Sequence, residues 1–189
     1  MRERLLAAAD ELFYNEGVHT VGIDRVIENA GVSKASLYAI FGSKDELIRA
    51  YLERRHEARR RRIEEALARY DTPRDRLLAV FDVLDRRLSR SESRGCAFIN
   101  ASAESSIGSA TEQATKEYRA WVVELFTDQA RAAGAADPEA LAAQLILLYD
   151  GAAVGTRMDG PSTAPAAARQ AAELLVDAAT KRPRRARAK

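Results

Sequence analysis

The chain has 189 residues, 47% hydrophobic and 31% charged, with a formal net charge of +2. That is the composition of one or two packed domains rather than of a disordered or fibrous chain. A single cysteine, Cys96, excludes an internal disulfide, and with only two histidines, His19 and His56, no zinc site is expected.

The first apolar stripe, Leu5, Leu6, Ala9, Leu12 and Phe13, has the spacing of one helical face, and Gly17 ends it. This amphipathic start carries acids, so it reads as neither a secretory signal nor a transit peptide. No later apolar run approaches the roughly 18 residues of a membrane span. A cytoplasmic protein is expected, with no metal, cofactor or membrane partner.

Two short helices are predicted over about 21–41. Ile23, Val26 and Ile27 share a face of the first, and Gly31 sits where the chain must reverse, a position that favours glycine because it accepts φ > 0. Ser33 is placed to cap the second helix, Lys34 to about Ile40, by accepting backbone N–H bonds. Leu37, Ile40 and Phe41 then point inward, and Lys34, Ser36 and Tyr38 outward. A compact helix-turn-helix with small, hydroxylated and basic side chains on one surface is a way to place a helix in the DNA major groove.

Ser43 caps a fourth helix running to about Leu67 or Ala68, with Leu47, Ile48, Tyr51 and Leu52 on its core side. Its second half is poor in apolar residues, and the arginine run at 54–62 reads as a solvated face. After the break Asp71-Thr72-Pro73, Leu77, Leu78, Phe81, Leu84 and Leu88 mark a helix to about Arg90. Further helices are expected at 96–103, at 109–133 with Tyr118, Trp121, Val122, Leu125 and Phe126, and from Pro138 with Leu141, Leu145, Leu148, Tyr149 and Ala152. A last one at 165–179 carries Ala171, Leu174, Leu175 and Ala178. The tail, 181–189, is basic and expected to be disordered. The fold class is therefore all-α, about nine helices, with no hairpin signal and no repeat.

The run AGVSKASLYAIFGSKDEL resembles the DNA-binding signature of the TetR family of bacterial transcriptional regulators over roughly residues 4–52, through the AGVS turn, the LY pair, Phe41 and Ser43-Lys44. The resemblance implies a three-helix DNA-binding domain at 1–50. It also implies a helical effector-binding and dimerisation domain at 51–180, whose last two helices meet their copy in a homodimer. The partners would then be double-stranded DNA, a second copy and an unidentified small-molecule effector. The function expected is a repressor released from a palindromic operator. The alternative is a helical ligand-binding or interaction protein without specific DNA binding. No nucleophile–base pair or phosphate-cradling glycine loop suggests an enzyme.

Residues 1–60 hold ten basic and ten acidic side chains, so DNA contact has to come from placed residues rather than a broad positive field. Lys34, Ala35 and Ser36 open the recognition helix nearest the base edges. The resemblance assigns Tyr38 and Lys44 to phosphate. Thr20 and Ser33 can bond phosphate or cap helices, and Arg25 can reach backbone or base. Phe81, Leu84, Cys96, Phe98, Tyr118, Trp121, Leu125 and Tyr149 are either core or the lining of the effector pocket that the resemblance implies. Cys96 reads as a buried hydrophobe, a pocket residue or a redox-sensitive thiol.

Overall fold

The computed structural model describes residues 1–90, 93–160 and 163–180; the expected basic tail at 181–189 lies outside them. Among the described residues the order is α1 (Arg2–Glu16), α2 (Ile23–Ala30), α3 (Lys34–Phe41), α4 (Lys44–Leu67), α5 (Pro73–Leu88), α6 (Ala97–Glu104), α7 (Ala110–Ala132), α8 (Pro138–Asp159) and α9 (Ala164–Thr180), with no strand. None of these helices is long and apolar enough to cross a membrane.

The boundaries follow local chemistry. Pro73 and Pro138 stand at the starts of α5 and α8, where a missing N–H costs nothing, behind the caps Thr72 and Asp137. Gly31, at φ 60 and ψ 47, closes α2: its N–H reaches the Glu28 carbonyl and Val32 N–H the Ile27 carbonyl. This pair of bonds makes a Schellman motif.

The chain forms two compact units, Met1–Arg62 with Arg94–Ala120, and Ile63–Ser93 with Trp121 onward. In the first, α1 packs on α2 and α3, and Leu5, Ala9, Val21, Val26, Leu37, Leu47 and Leu52 are wholly buried. Phe13 meets Tyr51 edge to face at 5.7 Å. In the second, α8 packs on α9 and both meet α5. Its centre is an aromatic trio, Phe81, Phe126 and Tyr149, with centroids 5.7–6.3 Å apart.

Two expectations need correction. The arginine run is not simply a solvated face. Arg55 forms a two-bond pair with Asp10 at 2.7 and 2.8 Å, and Arg59 is only 8% exposed. A helix this poor in apolar residues is anchored instead by arginine stems and guanidiniums on carboxylates and rings.

The stripe of α9 is also rotated. Pro165, Ala168, Ala172 and Val176 are buried, while Leu174 is 73% exposed and Ala178 is exposed. Small residues let helices approach closely, so packing selects the alanine face rather than the leucine face. The closeness shows at Gly155, where an added Cβ would lie 3.1 Å from Ala164 Cβ.

Candidate nucleic-acid interface

The second helix of the pair is fixed by Leu37, which is wholly buried; Ile40 and Phe41 are half-buried behind it. Ser33 Oγ accepts the Ser36 N–H at 3.1 Å and so caps α3. Arg4 Nη2 donates to the Gly31 carbonyl at 3.4 Å, tying the turn to α1. The Arg2 guanidinium lies 5.5 Å from the Phe41 ring centroid. With the inner face held in this way, Ser33, Lys34, Ala35 and Tyr38 stand exposed on the other side, and Ser36 is half-buried between them.

Two of the basic side chains on this surface are already engaged. Lys34 Nζ lies 3.0 Å from Asp24 Oδ1, which holds the lysine above its ordinary value. Arg25 pairs with both oxygens of Glu16, whose hydrogen bond raises the guanidinium value in the same way. In water such exposed pairs are weak, so each can be exchanged for a phosphate or a base.

Thr20 is exposed but is not a helix cap. The residue ahead of α2 is Gly22, which makes no side-chain bond, so the capping role expected for Thr20 falls away. Ser43 does cap α4, accepting the Glu46 N–H at 3.1 Å.

Lys44 is half-buried and donates to the His19 carbonyl at 3.4 Å. Burial pushes its ammonium below the usual lysine value, with the Glu104 carboxylate acting in opposition. Beside it, Asp45 accepts from Ala110 N–H at 2.6 Å, Thr111 N–H at 3.1 Å and Thr111 Oγ1 at 2.5 Å, so it caps α7 from another helix. Partial burial opposes ionisation of Asp45, but the Thr111 hydroxyl and the two amides outweigh it and keep the carboxyl below its usual value. Sequence reading assigned no tertiary partner to Asp24, Glu16, His19, Asp45 or Glu104. No local signal marks the first four; Glu104 stands at a helix C-terminus, where an acid is electrostatically out of place.

The residues expected around an effector fall into both units. In the first, Arg59 Nη1 lies 2.5 Å from Tyr118 Oη and 3.5 Å from Cys96 Sγ. Its guanidinium carbon stands 5.1 Å from the centroids of both Phe98 and Tyr118, and these two rings stack at 3.6 Å. His56 meets the Tyr118 ring edge-on at 5.5 Å, and burial, with Arg60 and Arg59 nearby, pushes its imidazole below the ordinary histidine value. In the second unit Phe81, Leu84 and Tyr149 are buried, while Trp121 and Leu125 are half-buried.

Helices alone among the described residues, with an exposed, serine-capped α3 behind a Schellman turn, define a helix-turn-helix protein. A family model described as bacterial regulatory proteins, tetR family, matches residues 5–51. The chain is 40% identical over 81 residues to the HTH-type transcriptional activator FasR of Mycolicibacterium smegmatis, covering 43% of this chain and 37% of FasR. It is 33% identical over 105 residues to the HTH-type transcriptional repressor NemR of Escherichia coli, covering 54% of this chain and 53% of NemR. These matches thus span about half, or less, of the length of the curated relatives.

The structural likeness runs further. The crystal structure of a TetR-family transcriptional regulator from Streptomyces coelicolor has a TM-score of 0.90 at 30% identity, over 95% of this chain and 96% of that one. Reduced NemR has a TM-score of 0.80 at 26% identity, over 90% and 94%. The chain belongs to the TetR family of bacterial regulatory proteins.

Proposed function

We propose that the protein is a DNA-binding transcriptional regulator of the cytoplasm, a homodimer that leaves a palindromic operator when a small molecule binds. The observation that carries this reading is the surface of α3. Leu37 roots the helix in the core, and Lys34, Ala35 and Tyr38 are exposed on the face turned away from it, Lys34 in an exchangeable pair with Asp24. Lysine can donate to guanine, the alanine methyl can meet a thymine methyl, and Ser36 can donate or accept. Tyr38, Ser33, Thr20 and Lys44 serve the phosphates, and Arg25 the backbone or a base.

Residues 1–50 act as the reading head, and 51–180 as the effector-binding and dimerising part. A second copy is supported by α8 and α9, which expose Leu147, Val154, Met158 and Leu174. Apolar side chains this exposed on neighbouring helices suit an interface with an identical surface. The two reading helices then sit about 34–36 Å apart, or a multiple of that. The relatives include a repressor and an activator; we favour repression. The effector acts on one of two aromatic groups, Phe98 with Tyr118 and Cys96, or Phe81 with Tyr149. The relatives are regulators, and no catalytic step belongs to this reading.

Selection of bound fragments from the source genome, followed by a band shift at several salt concentrations, tests it. A recovered palindrome with salt-dependent binding supports the regulator. Failure to retain any duplex would leave a helical ligand-binding or interaction protein.

A further inference from the structure

The last residue of α6, Glu104, is an acid at a helix C-terminus, where the helix dipole favours a cation. Its placement is explained by a tertiary contact. Glu104 Oε2 accepts the backbone N–H of His19 at 2.8 Å. In return the His19 ring nitrogen Nε2 bonds the Glu104 main-chain carbonyl, one of those a helix end leaves without a partner. The two residues are 85 positions apart, yet each satisfies the other's backbone.

Gly17 makes the approach possible. At φ +100 it would strain any side chain, and a Cβ there would lie 3.0 Å from Glu104 Oε1. The same turn carries the next link, because the His19 carbonyl receives Lys44 Nζ at 3.4 Å. The segment that leads into α6 is tied to the nearby end of α1: Tyr14 Oη accepts the Arg94 N–H at 2.9 Å and donates to the Gly95 carbonyl at 3.4 Å. Helix α6 spans only about 12 Å, and its last residue and the Arg94–Gly95 segment ahead of it are both bonded within residues 14–19. Any shift of α6 has to carry the α1–α2 turn with it or break the Glu104–His19 pair.

We propose that Glu104 is a positioning residue for DNA binding, the latch through which α6 sets the Gly17–Gly22 turn and, through His19, the place of Lys44. This rests on the reading of Lys44 as a phosphate contact. The latch depends on an acceptor oxygen at 104 and on glycine at 17; at 19 the principal donor is the backbone.

The test uses a selected operator fragment and the full chain, with affinity read by fluorescence anisotropy across a salt series. Glu104→Ala is expected to weaken binding by up to about tenfold, because the energy of a charge-assisted hydrogen bond limits how far the positioned turn is depopulated in the free protein, and to lower the salt slope by about one. Glu104→Gln keeps an acceptor for the His19 N–H and should bind within about twofold of the parent. In a Lys44→Ala background, Glu104→Ala should add less than about twofold, because both act through one contact. If Glu104→Ala does not fold, Glu104→Ser, too short to reach His19, takes its place. The proposal is overturned if the Ala variant binds like the parent, if Gln behaves like Ala, or if the two losses multiply in the double variant. A parent chain that holds no DNA would sink the regulator reading itself, and the latch with it, whereas the three preceding outcomes leave that reading standing.

Discussion

The ammonium of Lys34 lies 3.0 Å from the carboxylate of Asp24, so the first residue of α3 is neutralised by an acid from α2. Both groups are largely exposed, and the pair competes with DNA for the lysine. Asp24→Asn should therefore tighten binding, by up to about fivefold at low salt, and more for a selected fragment than for random duplex. Anisotropy with random and selected fragments checks this; unchanged affinity would mean that Lys34 does not face the duplex.

Lys34 and Lys44 should fail in different ways. Lys44→Ala is expected to weaken all sequences equally and to flatten the salt slope by about one unit. Lys34→Ala should change preference among sequences, since a side chain at the start of a reading helix meets base edges. A fragment selection repeated with each variant decides: identical sequence profiles would remove the base-reading role.

Gly31 carries the turn in the left-handed region with open space around its Cβ position, so the cost of substitution is backbone strain alone. Gly31→Ala should lose about 1–2 kcal/mol of stability in denaturant melts. A loss below a few tenths of a kcal/mol would show that the turn relaxes to another conformation.

Asp45 gives the first unit a pH dependence of known sign. Its carboxyl titrates below the ordinary aspartate value of 3.8 when folded. Its contribution is therefore complete above the unfolded value and is lost as pH falls through the folded one. Asp45→Ala should cost about 0.5–2 kcal/mol at neutral pH, as removal of a helix cap does, and the gap between parent and variant should close in acid. Thermal melts from neutral pH into acid would show it; a gap that stays constant down to the acid limit of folding would assign the effect to packing.

The exposed apolar side chains of α8 and α9 make the dimer testable without DNA. Leu174→Glu changes a side chain that is 73% exposed in the single chain, so the subunit fold should survive. Two charges brought together across a twofold axis should shift the protein toward monomer in sedimentation, and an unchanged mass would move the interface elsewhere.

Most of the helices and the exposed face of α3 could be found from sequence because their causes are local. Periodic apolar residues, Pro73 and Pro138 at helix starts, Gly31 in a left-handed turn and Ser33 at a cap each act within a few residues. The family signature falls in the same short span. What escaped was set by partners far away in the chain. Nothing near Arg59 announces that it will be buried against Tyr118 and Cys96, and nothing near Leu174 says that α9 will turn its alanines inward. A helical period specifies which residues share a face, but not which of two faces a neighbour will cover. The ion pairs of Arg25 and Lys34 and the Glu104–His19 contact likewise arise only when residues 9 to 85 positions apart are brought within hydrogen-bond reach.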